Sequence, residues 1–299
     1  MNLSEALSKY LEAGRIAVKL KEEAKKIVNI NVPLVDVCER LELLAMELGG
    51  IPAFPVNIGV NEITAHFTSP ANDVRKIPEN SIVKLDIGVH IEGYIADTAI
   101  TLSFNQDYQD LIISAQDALQ SGINAMKPGV KVSHVGAIIE KAITRFGYRP
   151  IRNLMGHRIE RFNLHTGKSI PNISGIEGGT IEEGEIYAVE PFSTLQDAAG
   201  MVMDSNETVI FRYHKDRRLK SQDAMALLEY IKKEHRFLPF ASRWLRSKFS
   251  YPSFDNIFEQ LIKSRCIIPY RVLVEASGLP VSQAEHTVIV EKGGCRIIT

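Results

Sequence analysis

Apolar and polar positions follow helical and strand spacings along this chain, and their order repeats. Segments 31–37 and 131–137 lie 100 residues apart, and each opens a stretch with apolar residues at helical spacing. These stretches end near glycine, at Gly49 and Gly50 in the first case and at Gly147 in the second. Glycine just past the last periodic residue is a common helix stop. The pattern therefore predicts one such helix in each of two halves.

Strand patterns follow in both halves, and each carries a carboxylate. The matching segments are 77–86 with 181–190, and 96–100 with 284–288. Their carboxylates are Asp86, Glu190, Asp97 and Glu285. Three matches in the same order favour a duplication over chance. We expect an α+β fold with pseudo-twofold halves, each a helix with an antiparallel sheet, that bring the four carboxylates together on one axis.

The second half carries an insertion between its strands. Asp86 and Asp97 are 11 residues apart, whereas Glu190 and Glu285 are 95 apart. The extra residues, approximately 211–271, are predicted to form a subdomain beside a catalytic domain of residues 1–210 and 272–299. Within the insertion, 221–235 is predicted to be a helix with Ser221 as its N-cap.

The first pair of carboxylates predicts a metal site. Glu92-Gly93 is typical of a hairpin turn, which would place Asp86 and Asp97 on one sheet face, opposite or diagonal. Apolar neighbours indicate that this face is buried, where two carboxylates repel each other and lose hydration. A cation between them removes that cost. The alternative is an ordinary solvated face, which the matching acids Glu190 and Glu285 make less favourable.

The number of carboxylates favours two divalent ions, because four negative charges neutralise two such cations. Paired cations can also generate a hydroxide at neutral pH. Histidines complete the site: if 156–165 is one extended segment, His157 and His165 project to the same face. His66 precedes the Asp86 strand much as His165 precedes Glu190. Carboxylate and histidine ligands suit Mn, Fe, Co or Zn.

Composition indicates a globular protein of the cytoplasm. The chain is 45% apolar and 24% charged, with a formal net charge of -1, which argues against nucleic acid as the main partner. Cys38, Cys266 and Cys295 are scattered and form no CxxC pair, as expected in a reducing compartment. No secretory signal and no run of about 18 apolar residues is present, so we expect no membrane association.

Several motifs together resemble one family, the methionine aminopeptidases of the creatinase/aminopeptidase, or pita-bread, fold. They are Asp86-Ile87-Gly88-Val89-His90 with Asp97, Gly156-His157, Glu190-Pro191-Phe192, and Glu285-His286-Thr287. The resemblance covers essentially the whole chain. It implies hydrolysis of N-terminal methionine from peptides and nascent chains by a hydroxide bound to two metal ions (Co, Mn, Fe or Zn).

The same resemblance assigns roles to the site residues. The implied metal ligands are Asp86, Asp97, His157, Glu190 and Glu285. Asp97 and Glu285 would bridge the two metals. His66 and His165 would contact the scissile peptide, with His165 polarising its carbonyl. Glu190 would also move the proton from the attacking hydroxide to the leaving amine.

The insertion is similar to that of the type II branch, which carries a helical, winged-helix-like subdomain. The matching motifs are Leu238-Pro239-Phe240 and Arg243-Trp244-Leu245. The repeat starts near residue 1, which resembles archaeal type II enzymes. Segment 193–200 departs from the Gly-rich form expected after Glu190. Phe54, Pro55 and Ile63 are candidates for lining the methionine pocket, but each is equally well explained as an ordinary core residue.

Two other functions stay open at this point. One is an Xaa-Pro aminopeptidase or dipeptidase of the same fold, which usually carries an additional N-terminal domain. The other is a non-catalytic binding protein. Between Arg212 and Lys248 there are 11 Lys and Arg against 4 Asp and Glu. This excess predicts either a solvated basic face or contact with ribosomal RNA. We expect a monomer.

Overall fold

The computed structural model describes residues 3–249 and 253–299. Residues 1–2 of the predicted catalytic domain and 250–252 of the predicted insertion lie outside that range. The α-helices are α1 (Leu3–Ile27), α2 (Leu34–Glu47), α3 (Gln109–Ala125), α4 (Val132–Thr144), α5 (Gln222–Glu234), α6 (Ser242–Lys248) and α7 (Phe254–Lys263). None of the helices in these ranges combines the length and the apolar character needed to cross a bilayer.

The strands alternate with the helices along the chain. They are β1 (Ile51–Pro52), β2 (Asn57–Val60), β3 (Ile63–Ala65), β4 (Ile82–Ile91), β5 (Tyr94–Ser103), β6 (Arg149–Pro150), β7 (Met155–Glu160) and β8 (Asn163–Pro171) in the first part of the chain. They continue with β9 (Ile186–Val189), β10 (Phe192–Thr194), β11 (Val202–Tyr213), β12 (Phe240–Ala241), β13 (Ile267–Glu275), β14 (Val281–Gln283), β15 (His286–Glu291) and β16 (Gly294–Ile297).

Two halves repeat the same arrangement of helices on an antiparallel sheet. In the first half, α1 packs on β4 and β5, with α2 beside it, over the largest apolar cluster. In the second half, α3 and α4 cover a sheet in the order β16-β15-β9-β7-β8 and enclose a second cluster. The backbones of Ala99 and Glu285 join the halves by N–H···O bonds of 3.3 and 3.4 Å. The predicted duplicated α+β core is confirmed.

The hairpin of β4 and β5 has the predicted two-residue turn. Glu92 and Gly93 both have positive φ, at 51° and 91°, as in the turns that match strand twist. In the ladder, Asp86 is paired with Ala99, and Gly88 with Asp97. Asp86 and Asp97 are therefore diagonal neighbours on one face, as expected.

The second pair of acids lies at the ends of its strands. Glu190 directly follows β9, and Glu285 directly precedes β15, where His286 is paired with Val189. The second half therefore brings its two carboxylates together without including either of them in its ladder.

The expectation of one extended segment from 156 to 165 is wrong. The chain turns at Arg161 and Phe162, between β7 and β8, and Phe162 has a φ of 56°. His157 and His165 consequently lie on the two arms of a hairpin. Their rings nevertheless come together, with centroids 4.2 Å apart.

The insertion has a core of its own. A third apolar cluster contains residues of α5, α6 and α7 together with the ends of β11 and β13. Helix α5 begins after Ser221, whose hydroxyl accepts a hydrogen bond from the Ala224 N–H at 3.3 Å, so the predicted cap is confirmed. We propose 211–271 as the limits of this subdomain, since this cluster supports them. Strand β11 crosses the first of these limits and strand β13 crosses the second.

Candidate metal centre and cavity

One cavity of about 270 Å³ lies between the two halves and the insertion. All seven residues singled out from the sequence line it. They are His66, Asp86, Asp97, His157, His165, Glu190 and Glu285.

Three of these side chains form a group with the spacing of metal ligands. One ligand atom each from Asp97, His157 and Glu285 lies within 4.8 Å of the others, and all three residues are buried. His157 Nε2 is 3.6 Å from Asp97 Oδ2 and 3.6 Å from Glu190 Oε1. Asp86 lies outside this three-residue group but borders the same cavity beside Asp97.

Burial dominates the electrostatics of the four carboxylates. It raises the pKa of Asp86 to about 7. It also raises the pKa of Asp97 well above its ordinary range, and the negative charges of Asp86 and Glu190 add to that shift. The pKa values of Glu190 and Glu285 are raised well above normal first by burial and then by neighbouring carboxylates. Four acids held together in this way favour either protons or cations between them.

Two buried carboxylate oxygens without hydrogen-bond partners in the described part of the chain indicate that the site suits a cation. Asp86 Oδ1 and Asp97 Oδ1 are buried and have no hydrogen-bond partner among the described residues. A buried carboxylate oxygen without a partner is strongly unfavourable. Oxygen donors together with one imidazole are the ligand set that divalent transition metals accept. The donor set and its spacing therefore fit divalent metal ions.

Side chains that the sequence reasoning did not single out hold the ligands in place. The Thr287 hydroxyl accepts from the Asp97 N–H at 2.7 Å and donates to the Asp97 carbonyl at 2.7 Å. Thr98 donates to the Glu285 carbonyl at 2.8 Å, and Gln283 Nε2 donates to Glu285 Oε2 at 3.3 Å. Thr287 belongs to the Glu285-His286-Thr287 motif, which was the available signal. No motif in the sequence pointed to a role for Thr98 or Gln283.

The remaining two histidines stand at the side of the cavity toward the insertion. His66 has a φ of 62°, an uncommon conformation for a residue other than glycine, and its Nδ1 is 3.3 Å from the Arg271 carbonyl oxygen. Burial lowers its pKa. His165 lines the cavity and is exposed as a whole residue. Burial of its ring nitrogens by the surrounding protein lowers its pKa to about 4, helped by His66 and Arg212. Both rings are therefore neutral at pH 7.

Apolar side chains complete the lining. They are Phe54, Leu154, Met155, Leu164, Phe192, Ile210, Pro239 and Tyr270. Of the pocket candidates from the sequence, Phe54 lines the cavity, whereas Pro55 and Ile63 are not among its lining residues. Pro239 and Tyr270 come from the insertion. No local pattern predicted their place, because they reach the cavity through the pairing of β11 with β12 and β13.

Carboxylates, histidines and an apolar wall around one cavity define a class of protein, the metal-dependent hydrolases. The chain belongs to metallopeptidase family M24, whose sequence profile matches residues 8–224. It is 43% identical over 296 residues to a methionine aminopeptidase of Methanothermobacter thermautotrophicus, covering 98% of both chains.

Solved structures agree on the fold. The chain is similar to a thermophilic Arx1, with a TM-score of 0.86 and 18% identity, over 98% of this chain and 90% of that one. It is also similar to a methionine aminopeptidase of Thermotoga maritima, with a TM-score of 0.71 and 19% identity, over 100% of this chain and 98% of that one. The pita-bread fold expected from the sequence is confirmed.

Proposed function

We propose that this chain is a methionine aminopeptidase, which hydrolyses the bond after an N-terminal methionine in peptides and nascent proteins. One observation carries the proposal: four carboxylates, of which Asp97 and Glu285 are fully buried, line the same small cavity as histidines and a set of apolar side chains. The carboxylate end suits metal ions and a free amino group, and the apolar wall suits a thioether side chain. Identity of 43% to an archaeal methionine aminopeptidase over almost the whole chain supports the same substrate.

We further propose two divalent ions, with Asp86, Asp97, His157, Glu190 and Glu285 as their ligands. Asp97 and Glu285 would be shared, and the ions would be Co, Mn, Fe or Zn. When bound, such ions polarise the peptide carbonyl and lower the pKa of the water that attacks it. With one histidine among five ligands, the two sites would be inequivalent.

The other residues would bind the peptide and move its protons. Burial and the nearby Asp86 charge raise the pKa of Glu190, which suits a carboxyl group that takes a proton from water and passes it to the leaving amine. His165 is neutral, so its ring can donate its one N–H to the carbonyl oxygen as negative charge develops there. His66 is also neutral, and its N–H at Nδ1 faces the Arg271 carbonyl oxygen, so it would contact the peptide through Nε2 as an acceptor.

A peptide comparison tests the substrate. We expect rapid cleavage of Met-Ala-Ser and little cleavage of Ala-Pro-Gly by protein loaded with each of the four metals. Cleavage of only the proline peptide would replace the proposal with an Xaa-Pro peptidase. Metal binding without cleavage of either peptide would indicate the non-catalytic alternative.

Two variants test the assigned roles. Asp97→Ala should abolish metal binding and turnover together, because Asp97 is central to the ligand group. His165→Ala should lower turnover while metal content, measured by elemental analysis, stays near that of the wild type. Retained activity in Asp97→Ala would contradict the ligand assignment.

A second proposal concerns the ribosome. Several cations of the basic insertion already have acidic partners: Lys232 bonds to Asp216 and Glu229 at 3.0 Å each, and Arg246 pairs with Asp255. Arg217, Arg218 and Lys220, in contrast, are exposed on the loop before α5. We propose that this loop contacts ribosomal RNA near nascent chains.

Ribosome co-sedimentation at increasing salt tests the contact. Neutralising Arg217, Arg218 and Lys220 to Gln should weaken binding and flatten its salt dependence, because fewer counterions are released. Lys232→Gln is the matched control, since that charge is compensated. Equal loss in both proteins, or none in the triple variant, would overturn the proposal.

We propose a cytoplasmic location because Cys38, Cys266 and Cys295 are all free thiols. A monomeric state stays a prediction.

A further inference from the structure

Arg212 lies on the cavity face of β11. In the ladder with β13, Ile210 is paired with Tyr270 and Arg212 with Ile268. Ile210 and Tyr270 both line the cavity. Residues two apart on a strand project from the same face, so Arg212 continues this wall by one position. Phe211, between them, faces the other way into the core of the insertion.

The charge of Arg212 affects the pKa values of two cavity residues, His165 and Tyr270. It contributes to the lowered pKa of His165, after burial and His66. Burial raises the pKa of Tyr270, and Arg212 opposes that rise. His165 and Tyr270 belong to strands of different sheets, β8 and β13, so the charge of Arg212 acts on residues from both sheets.

Within residues 3–249 and 253–299, Arg212 makes no ion pair or side-chain hydrogen bond. Two other cations of the insertion have acidic partners: Lys232 bonds to two carboxylates, and Arg271 Nε is 3.7 Å from Asp204 Oδ2. Arg212 is half-buried, so its charge has lost part of its hydration without gaining an acceptor. A ligand that brings an acceptor to this position would be bound favourably.

The substrate supplies such an acceptor. If the N-terminal residue is held at the carboxylates, the rest of the peptide must leave the cavity past its wall. An extended chain advances by about 3.3–3.6 Å per residue, so the residues after the scissile bond follow that wall one by one. Guanidinium groups bind carboxylates with two parallel hydrogen bonds.

We propose that Arg212 binds an acidic side chain at the third or fourth residue of the peptide and thereby favours such substrates. This inference rests on the proposed aminopeptidase function. It adds a preference beyond the methionine and the residue that follows it.

Matched peptides test the preference. The pairs are Met-Ala-Glu-Gly with Met-Ala-Gln-Gly, and Met-Ala-Gly-Glu with Met-Ala-Gly-Gln, all amidated at the C-terminus so that no terminal carboxylate competes. We expect the wild type to favour glutamate about fivefold in kcat/KM, mainly through KM, in at least one pair, the size of a partly exposed ion pair. Arg212→Met should bring the ratio near one, and Arg212→Glu should invert it. High salt should reduce the wild-type ratio.

Lys233→Met is the control, because it removes an exposed cation from α5 of the insertion and should leave the ratio unchanged. Equal ratios in wild type and Arg212→Met would overturn the proposal. So would a loss in Arg212→Met that is equal for both members of a pair, which indicates a structural role. Failure of the wild type to cleave any Met-Ala peptide would instead overturn the proposed function itself.

Discussion

At the scale of single residues, Gly88 sets the shape of the cavity. It lies in β4 opposite Asp97, and a Cβ atom there would come within 2.1 Å of a ring carbon of Phe54. Its backbone does not have positive φ, so the lack of space alone excludes a side chain. Because Phe54 lines the apolar wall, glycine at this position keeps its ring close to the ligand strand.

We therefore expect Gly88→Ala to lower kcat/KM for Met-Ala-Ser by about tenfold, since a forced ring shift costs roughly 1–3 kcal/mol. Metal content should stay unchanged, because no ligand is altered. The control is Gly293→Ala, at a position with no atom within 4 Å of a new Cβ. Wild-type kinetics in Gly88→Ala would show that the Phe54 ring can shift without affecting substrate binding.

The site residues illustrate what a sequence can predict at this scale. Asp86, Asp97, Glu190 and Glu285 could be found because the repeated strand pattern matches Asp86 with Glu190 and Asp97 with Glu285. Arg212 and Tyr270 could not, because their approach to the cavity depends on pairing between strands that are more than 50 residues apart in the chain. The roles of the seven predicted residues stay proposals, although their common cavity supports them.

At the scale of secondary-structure elements, a buried ion pair fastens the insertion to the first half. Arg243, at the start of α6, donates to Glu42 of α2, and both side chains are almost fully buried. Arg243 also donates to Thr68 Oγ1 at 3.0 Å, and the Val56 N–H donates to Glu42 Oε1 at 3.0 Å. This junction keeps the insertion, with its cavity residues Pro239 and Tyr270, against the core.

Glu42→Ala should destabilise the protein by about 3–5 kcal/mol, because it leaves the Arg243 charge buried without its partner. The shift in the urea unfolding midpoint measures this. Glu259→Ala removes one member of an exposed pair with Lys263 and should change the stability by less than about 1 kcal/mol. Comparable losses in both variants would contradict a special role for the buried pair.

Local patterns predicted elements better than they predicted turns without glycine. The Ser221 cap and the Glu92-Gly93 turn were evident because their residue types are typical of those positions. The turn at Arg161 and Phe162 was missed, because neither residue favours positive φ. Contacts that only the folded chain provides offset the cost of that conformation for Phe162. The Arg236 guanidinium lies 4.1 Å from the centroid of its ring, and the His90 ring centroid lies 5.6 Å from it.

At the scale of the whole molecule, both halves and the insertion meet around the carboxylates. The halves are joined there by the Ala99–Glu285 backbone bonds and by the Thr98 and Thr287 hydroxyls. Repulsion among the four acids acts directly across this seam. Cations bound between them should consequently stabilise the entire fold.

Chelation of the metal should lower Tm by about 5–11 °C. A ligand present at 100 times its Kd adds about 2.7 kcal/mol, and each kcal/mol shifts Tm by about 2–4 °C in a chain approaching this size. Differential scanning calorimetry with and without chelator measures the shift. Glu285→Gln should abolish the response and keep the metal-free form at least as stable, since an amide removes one charge. An unchanged wild-type Tm after complete demetallation would contradict a coupling between metal and fold.

The chain contains a single tryptophan, Trp244, and its indole Nε1 donates to Glu42 Oε2 at 2.7 Å. Its ring is also stacked against His235, with centroids 5.7 Å apart. Intrinsic fluorescence excited at the indole band therefore comes from one place, the joint between α6 and α2. A red shift in its emission as denaturant is added would time the detachment of the insertion separately from the loss of the core. The protein thus carries its own optical probe at that joint, and no label is needed to follow it.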